Sequence, residues 1–322
     1  MPTVRVCAAG GTIASEPDEG GAAPAKAGAE LVESVPALGE YADLEVTDVA
    51  SHPGFDMQFE AVLDLAREVA ATDPDEVAGV VVTHGTDTLA DTAHALDLLC
   101  SGTPPVVVTG AQRRFDEPGT DAPSNLLAAV RTAVDGRFEG SFVAFDDAVY
   151  AAREARKVHA SALHAFDAPG TGPVASIDRD AVRLHRSPAT DAPTLPAPAP
   201  DALADVEVAI VHSGISADGA RIERALEAGV DGVVVEGTGL GNATGTIGDA
   251  VADAVDEVPV VVATRCPAGH TGQVYGTAGG GVTLRRHGAL FAGDLPPSKA
   301  RVTLALALAG GASRDRLAAL FD

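Results

Sequence analysis

The chain has 322 residues, of which 46% are hydrophobic and 21% charged, so it can bury full hydrophobic cores and is not a disordered chain. Its 46 acidic residues outnumber its 22 basic ones, and the net charge of −24 excludes nucleic acid and anionic membranes as general partners. Only 4% of the residues are aromatic, which argues against stacking platforms for bases or sugars.

Short valine-rich runs alternate with longer amphipathic stretches through the first half of the chain. This alternation predicts a mainly parallel sheet covered by helices, because strands that are buried on both faces read as continuous apolar runs. The predicted strands are Val4–Ala9, Leu44–Val49, Val77–Thr83, Pro105–Thr109 and Ser141–Phe145, and the predicted helices are Gln58–Ala71, Thr86–Leu99 and Ala122–Val134.

A proline-rich segment follows, with five prolines between Ser187 and Pro200. Because proline interrupts both helices and sheets, it predicts a stiff, extended linker. The alternation then resumes, with strands at Val206–Val211, Gly232–Val235 and Pro259–Ala263 and helices at Asp218–Ala228, Ile247–Val255 and Lys299–Ala309. We therefore expect an α/β protein with a larger N-terminal domain (residues 1–186), a linker (187–204) and a smaller C-terminal α/β domain (205–322).

Cysteine content and hydropathy predict a cytoplasmic protein. Cys7, Cys100 and Cys266 form an odd, sparse set that fits reduced thiols in a cytoplasm. The chain has neither an H-E-x-x-H motif nor a C-x-x-C pair, so we expect no metal site, and we expect no other cofactor. The longest nearly apolar run, Val302–Ala312, is about half the ~20 residues that a membrane helix needs. Residues Met1–Arg5 lead directly into the first predicted strand, so no signal peptide is expected.

Lysine is rare, since only Lys26, Lys157 and Lys299 occur among the 22 basic residues. An acidic, arginine-rich chain repels itself in dilute buffer, whereas molar salt shortens the Debye length to about 3 Å and removes most of that repulsion. This composition is typical of a halophile's cytoplasmic protein, although a GC-rich genome also favours arginine over lysine.

Two hydroxyl-bearing motifs follow predicted strands. In Gly10-Gly11-Thr12-Ile13-Ala14, paired glycines let the backbone approach a ligand and Thr12 can act as a nucleophile, although an ordinary glycine turn fits the same residues. In Thr83-His84-Gly85-Thr86-Asp87-Thr88, the polar side chains can equally serve the N-terminus of a helix. Because ligands of parallel sheets bind at the carboxyl ends of strands, two such motifs side by side would converge on one crevice.

A third motif is the charged cluster Arg153-Glu154-Ala155-Arg156-Lys157, which is also typical of a solvated surface. Its lysine, Lys157, is one of only three lysines among the 22 basic residues of the chain. Arginine keeps its proton in proteins, whereas a desolvated lysine can lose its proton and act as a base. Lys157 is therefore a candidate base.

Together these motifs resemble the bacterial-type asparaginase/glutaminase family. The resemblance rests on both threonine motifs, on Val108-Thr109-Gly110-Ala111-Gln112-Arg113, on Arg153–Lys157 and on Gly239-Leu240-Gly241-Asn242, which occur in the family's order along the chain. It implies hydrolysis of L-asparagine to L-aspartate and ammonia, at a site shared between subunits of a homodimer or a dimer of dimers. The segment Arg265–Tyr275 is more similar to the family's cytoplasmic branch than to its secreted branch.

By this resemblance, Thr12 and Thr86 are the two catalytic threonines. Thr12 would attack the side-chain carboxamide and form an acyl-enzyme ester, while Lys157, held by Asp87, would tune Thr86 to position water or pass protons. The resemblance leaves open which threonine is acylated. The substrate-binding residues that it implies are Gly11, Gly85, Ala111 with its carbonyl oxygen, and Asn242, which would reach across the dimer to the α-amino end of the substrate.

Two segments depart from the family pattern. Gly54-Phe55-Asp56-Met57 stands where many members place a serine or Ser-Gln, so the substrate carboxylate would bind a backbone amide there or another residue such as Ser51. The lid segment Ser15–Ala29 lacks the tyrosine that commonly pairs with the first threonine. Tyr275 lies in a segment similar to one that approaches a neighbouring subunit's first threonine, and we expect it to replace the lid tyrosine. The alternatives are a packed surface-loop role for Tyr275 and a contribution from Tyr150.

Two other interpretations compete with an asparaginase. The asparaginase-like component of an archaeal glutamyl-tRNA(Gln) amidotransferase has similar motifs, but usually has an additional N-terminal domain, whereas strand-like sequence begins here at Thr3. The segment Gly237–Gly241 is rich in glycine, as in nucleotide-binding modules, but it lacks the G-x-G-x-x-G spacing. The resemblance therefore favours an amidohydrolase that acts on L-asparagine.

Overall fold

The computed structural model describes residues 1–18, 21–24, 26–101, 103–179, 181–190 and 192–321. The chain divides into two compact units, Met1–Thr194 and Leu195–Asp322. Each unit combines a sheet that is largely or wholly parallel with α-helices, and the first unit is the larger. The expected fold class is therefore confirmed.

The first unit contains all the strands and helices that were predicted for it, with ends that move by at most three residues. Its strands are β1 (Thr3–Gly10), β2 (Ser15–Asp18), β3 (Gly21–Pro24), β4 (Asp43–His52), β5 (Val77–Thr83), β6 (Val106–Thr109), β7 (Ser141–Phe145), β8 (Ala148–Ala151), β9 (Arg156–Lys157), β10 (Phe166–Asp167), β11 (Ala175–Ile177) and β12 (Val182–Leu184). Its α-helices are α1 (Gly28–Glu33), α2 (Phe59–Ala70), α3 (Leu89–Leu99) and α4 (Ala122–Ala133).

The main sheet of this unit has the strand order β12-β11-β8-β7-β6-β5-β1-β4. Five neighbouring strands, β7, β6, β5, β1 and β4, run parallel to one another. Strands β8, β11 and β12 extend the sheet beyond β7 in antiparallel pairing. Successive valines of β5 face opposite cores, as the strand period of two requires. Val80 and Val82 pack with residues of α2 and α3, whereas Val81 packs with residues of α4.

Several short elements were missed by the sequence analysis. The strands β8 to β12 are two to four residues long, too short for a recognisable period. The segment Ser15–Ala29, which was expected to be a lid, contains the antiparallel hairpin of β2 and β3. Residues Glu19, Gly20 and Ala25 of that segment lie outside the described residues.

The predicted linker, residues 187–204, is only partly free of regular secondary structure, because its last five residues form the helix Pro200–Ala204. Pro200 stands in the first turn of that helix, where proline is tolerated. The described residues between β12 and Pro200 form neither helix nor strand, and Ala189 makes an isolated bridge with Glu139. None of the helices in the described ranges has both the length and the hydropathy needed to cross a lipid bilayer.

The second unit is built around a parallel sheet in the order β13-β14-β15-β16. Its elements are α5 (Pro200–Ala204), β13 (Val208–His212), α6 (Ala220–Glu227), β14 (Gly232–Gly237), α7 (Gly245–Ala254), β15 (Val260–Thr264), α8 (Gly281–His287), β16 (Leu290–Phe291), α9 (Pro297–Ala309) and α10 (Arg314–Phe321). Side chains from β13, β14, β15 and the helices α6 to α8 form one buried core.

Candidate active site

Four neighbouring parallel strands, β4, β1, β5 and β6, end at the same edge of the main sheet. The loops that follow them carry all the predicted site residues of this unit except Lys157: Gly11, Thr12, Gly54, Phe55, Gly85, Thr86, Asp87 and Ala111. Because loops at the carboxyl ends of adjacent parallel strands form a crevice, this edge is the candidate active site.

Glycines bring three of these loops into contact. Gly11 has a φ angle of 84°, and a Cβ atom added to it would collide with the backbone of Gly85. A Cβ atom on Gly54 would collide with Gly85 in the same way. Any side chain at these positions would push the loops apart, so glycine is needed to bring Thr12 and Thr86, the next residues in two of the loops, to one place.

The polar backbone atoms of Gly11 already have partners within the chain. Its N–H donates to the carbonyl oxygen of His52 at 2.9 Å, and its carbonyl oxygen accepts from the N–H of Ala14 at 3.0 Å and from Ser15 Oγ at 2.9 Å. Gly11 therefore needs no hydrogen bond from a substrate. Its lack of a side chain lets a substrate approach its backbone closely.

Lys157 contacts both of its predicted partners, although they lie about 70 residues away in the sequence. Its Nζ atom donates hydrogen bonds to Thr86 Oγ1 and to Asp87 Oδ1, each at 2.8 Å. Strand β9 places Lys157 there by pairing with β10, where Lys157 lies opposite Phe166. The lysine side chain is 16% exposed and that of Asp87 is 51% exposed, so the pair lies at the solvent side of the buried Thr86. An amine in contact with a hydroxyl and a carboxylate can exchange protons with the hydroxyl while the carboxylate holds it in place.

The loop after β4 lies beside this group. Gly54 is buried, and its carbonyl oxygen accepts a hydrogen bond from Thr88 Oγ1 at 2.6 Å. The side chain of Phe55 is 79% exposed, and Ser51 is an exposed residue of β4. Thr88 occupies the N-cap position of α3 without capping the helix with its side chain, because its hydroxyl bonds to Gly54 instead.

His84 supports the threonine loop from the protein interior. It is fully buried, with Nδ1 2.7 Å from the carbonyl oxygen of Gly85 and Nε2 2.9 Å from Thr92 Oγ1. Since a carbonyl oxygen can only accept, Nδ1 carries the proton and Nε2 accepts from the threonine hydroxyl. Burial lowers the pKa of His84 to about 4, so the ring is neutral at physiological pH. The structure therefore favours a structural role for this histidine.

His84 should make the stability of the fold sensitive to acid. A histidine in the unfolded chain titrates near pH 6.5, whereas the folded protein keeps His84 neutral down to about pH 4. The unfolded state therefore binds the proton first as pH falls. We expect the free energy of unfolding to decrease between about pH 6.5 and about pH 4, with no further contribution from His84 at lower pH.

Denaturant unfolding at a series of pH values measures this effect. His84→Gln should flatten this part of the stability profile, since glutamine can form hydrogen bonds but does not titrate. His185→Gln, at an exposed histidine, is the matched control and should keep the wild-type slope. An identical slope in wild type and His84→Gln would show that His84 does not cause the acid sensitivity.

Asn242 and Tyr275 belong to the second unit. Asn242 Oδ1 accepts a hydrogen bond from the N–H of Gly281 at 3.2 Å. Tyr275 is 56% exposed, and its carbonyl oxygen accepts from the N–H of Val282 at 3.1 Å. The contacts in a neighbouring subunit that the sequence predicts for both residues stay predictions.

Tyr150 differs from Tyr275 in its surroundings. It lies on β8 within the hydrophobic core, is 2% exposed, and burial raises its pKa to about 12. Burial likewise raises the pKa of the thiols of Cys7 and Cys100 to about 12, so neither is a reactive thiolate. Within the described ranges, no group of three or more His, Cys, Asp or Glu side chains is placed to hold a metal ion.

Two polar residues at the start of α4 were not predicted from the sequence. Asp121 and Asn125 are buried, and their side chains bond to the loop Gly110–Arg113 after β6. An acidic residue before a predicted helix is an ordinary N-cap signal, so the sequence alone offered no sign of a bond to another loop.

Comparisons with known proteins find relatives that match both units of the chain. Residues 3–190 match the model of the asparaginase N-terminal domain, and residues 207–321 match that of the glutaminase/asparaginase C-terminal domain. The chain is 36% identical over 313 residues to an L-asparaginase of Bacillus licheniformis, covering 95% of each chain. It is 32% identical over 317 residues to a glutamyl-tRNA(Gln) amidotransferase component of Pyrococcus furiosus, covering 94% of this chain and 71% of that protein. The crystal structure of a probable cytoplasmic L-asparaginase from Campylobacter jejuni matches with a TM-score of 0.85 at 28% identity, covering 100% of this chain and 99% of that chain.

Proposed function

Because the chain belongs to the asparaginase/glutaminase family and is therefore an amidohydrolase, we propose that it hydrolyses the side-chain amide of L-asparagine to L-aspartate and ammonia. The family that the motifs indicated is confirmed by these matches. The observation that carries the proposal is the contact of Lys157 with Thr86 and Asp87, beside the point where Gly11 meets Gly85.

The proposed reaction has two steps. The Thr12 hydroxyl attacks the carboxamide carbon and loses its proton, the C–N bond breaks, and the nitrogen leaves as ammonia after gaining a proton. Water then attacks the acyl-enzyme ester and releases L-aspartate and the free Thr12 hydroxyl. In both steps a base and an acid are needed, and Thr86 with Lys157 moves these protons while Asp87 holds the lysine.

Backbone groups of the strand-end loops would bind the substrate. The N–H of Thr86 would stabilise the developing oxyanion, and the carbonyl oxygen of Ala111 would accept from the substrate amide. The loop with Gly54 and Phe55, or Ser51, would bind the substrate carboxylate. Asn242 would act at the α-amino end from the neighbouring subunit of a homodimer or a dimer of dimers.

We also propose that the enzyme works in the cytoplasm of a salt-rich cell. The net charge of −24 supports this, because two subunits so charged repel each other until salt screens them. The name of the Campylobacter jejuni protein supports the cytoplasm.

Ammonia release tests the proposed function. The purified chain should release ammonia from L-asparagine without a partner or tRNA, and L-glutamine measured in parallel gives the preference between the two. The assay and sedimentation are run at about 0.1 M and about 3 M KCl, spanning strong and weak electrostatic repulsion, and we expect the active oligomer at the higher salt. Ammonia release from L-glutamine only with a partner protein and glutamyl-tRNA would favour the amidotransferase instead, as the Pyrococcus furiosus relative would suggest.

Tyr275→Phe should lower the turnover number well below that of wild type, because Thr12 needs a hydrogen-bond partner and the lid segment contains no tyrosine. Tyr150→Phe is the matched control, since it removes the same hydroxyl from a tyrosine buried in the core, and it should stay near the wild-type rate. Equal rates for Tyr275→Phe and wild type would show that Tyr275 is an ordinary surface-loop residue.

A further inference from the structure

The loop after β6 is held by two buried side chains, those of Asn125 in α4 and of Asp121, the N-cap residue of α4. Asn125 Nδ2 donates to the carbonyl oxygen of Gly110 at 3.0 Å and to Asp121 Oδ2 at 2.9 Å. Asp121 Oδ2 also accepts from the N–H of Gln112 at 3.0 Å, and Asp121 Oδ1 accepts from the N–H of Arg113 at 3.0 Å. Both peptide groups that flank Ala111 are thereby fixed.

These bonds determine where the Ala111 carbonyl points. In a planar trans peptide, the C=O and N–H groups point in opposite directions. The Ala111 carbonyl and the Gln112 N–H belong to one peptide, and that N–H points at Asp121. The Ala111 carbonyl oxygen therefore points away from Asp121, and it cannot turn without breaking the bond between Gln112 and the carboxylate.

The Ala111 carbonyl oxygen lacks a donor among the described residues, although Ala111 is 0% exposed. A buried carbonyl without a hydrogen bond is costly, so a protein rarely keeps one without a reason. A substrate amide would supply the missing N–H donor once it displaces the groups that cover Ala111.

The position of Asp121 also indicates a role beyond the helix. It occupies the N-cap of α4, where an aspartate normally accepts from N–H groups of its own helix, but it makes no such bond. Its carboxylate instead accepts hydrogen bonds from the backbone N–H groups of Gln112 and Arg113 in the loop after β6. A peptide N–H that donates to a charged carboxylate polarises its peptide, which makes the attached carbonyl oxygen a stronger acceptor.

Building on the proposed function, we propose that Asp121 is a positioning residue for amide hydrolysis. It aims and polarises the Ala111 carbonyl, which accepts a hydrogen bond from the nitrogen of the substrate carboxamide. Asn125 fixes the preceding peptide through Gly110 and holds the Asp121 carboxylate in place. Because the Ala111 carbonyl binds the nitrogen that leaves, Asp121 should favour hydrolysis of amides over hydrolysis of substrates that have no N–H group there.

The test compares two substrates that share one acyl group. L-asparagine offers N–H donors to Ala111, whereas the β-methyl ester of L-aspartate offers none. In Asp121→Asn, kcat/KM for the amide should fall about 10- to 100-fold, as expected when a charge-assisted hydrogen bond is weakened, and kcat/KM for the ester should fall less than about threefold. If Asp121 only stabilised the fold, the ratio of kcat/KM for the amide to kcat/KM for the ester would not change.

Asp116→Asn is the matched control, because Asp116 lies in the same connection, is 49% exposed and bonds to Arg114. It should leave both rates unchanged. If Asp121→Asn does not fold by circular dichroism, Asp121→Ser takes its place, since serine is a favoured N-cap residue and can still accept one N–H.

Equal losses on amide and ester, or no loss on either, would overturn the role of Asp121. A wild-type enzyme that is inactive on both substrates would instead refute the proposed function, so the two failures are distinguishable.

Discussion

Thr12→Val and Thr86→Val should each lower the turnover number for L-asparagine by more than about 100-fold while the protein stays folded. Valine has nearly the shape of threonine, so each change removes a hydroxyl with little loss of packing. Thr12 would lose the oxygen that forms the acyl-enzyme, and Thr86 would lose the oxygen that accepts from Lys157 at 2.8 Å. Steady-state ammonia release measures the rates, and circular dichroism checks the fold.

Thr83→Val is the matched control from the same motif. The buried Thr83 hydroxyl has no hydrogen-bond partner among the described residues, so replacing it by a methyl group should keep both activity and stability. A Thr12 or Thr86 variant that keeps more than about a tenth of the wild-type rate would show that its hydroxyl is neither nucleophile nor proton carrier.

Lys157→Arg should be nearly as damaging as Lys157→Ala, with turnover lower by about 10²- to 10⁴-fold in both. Arginine retains the positive charge and can still pair with Asp87. However, a guanidinium keeps its proton and cannot accept one from Thr86, whereas an amine can. The rates of the two variants relative to wild type separate proton transfer from charge.

The control is Arg156→Lys, the neighbouring position on β9. Successive side chains of a strand point to opposite faces, so this change should leave the Thr86 contact and the rate unaffected. An active Lys157→Arg enzyme would mean that Lys157 supplies charge alone and that another group moves the proton.

The main strands and helices and the protein family could be predicted from local sequence patterns. The valine runs predicted the parallel strands with small errors at their ends, because burial on two faces leaves a continuous apolar signal. The rarity of lysine singled out Lys157, and the motifs around Thr12 and Thr86 identified the family. These features are local in sequence, so they can be read without knowing what lies nearby in space.

The contacts between distant residues could be seen only in the folded chain. There, Gly85 lies against both Gly11 and Gly54, and Lys157 reaches Thr86 across about 70 residues. Strand β9, which carries this lysine, is two residues long and is defined by its pairing partner rather than by its own residues. The role of Asp121 was hidden for a similar reason, since an aspartate before a helix has the same local sequence whether it caps that helix or bonds to another loop. Such contacts arise where loops from distant parts of the chain pack at one edge of the sheet. Local sequence patterns do not specify the distances between those loops, so they do not predict these contacts.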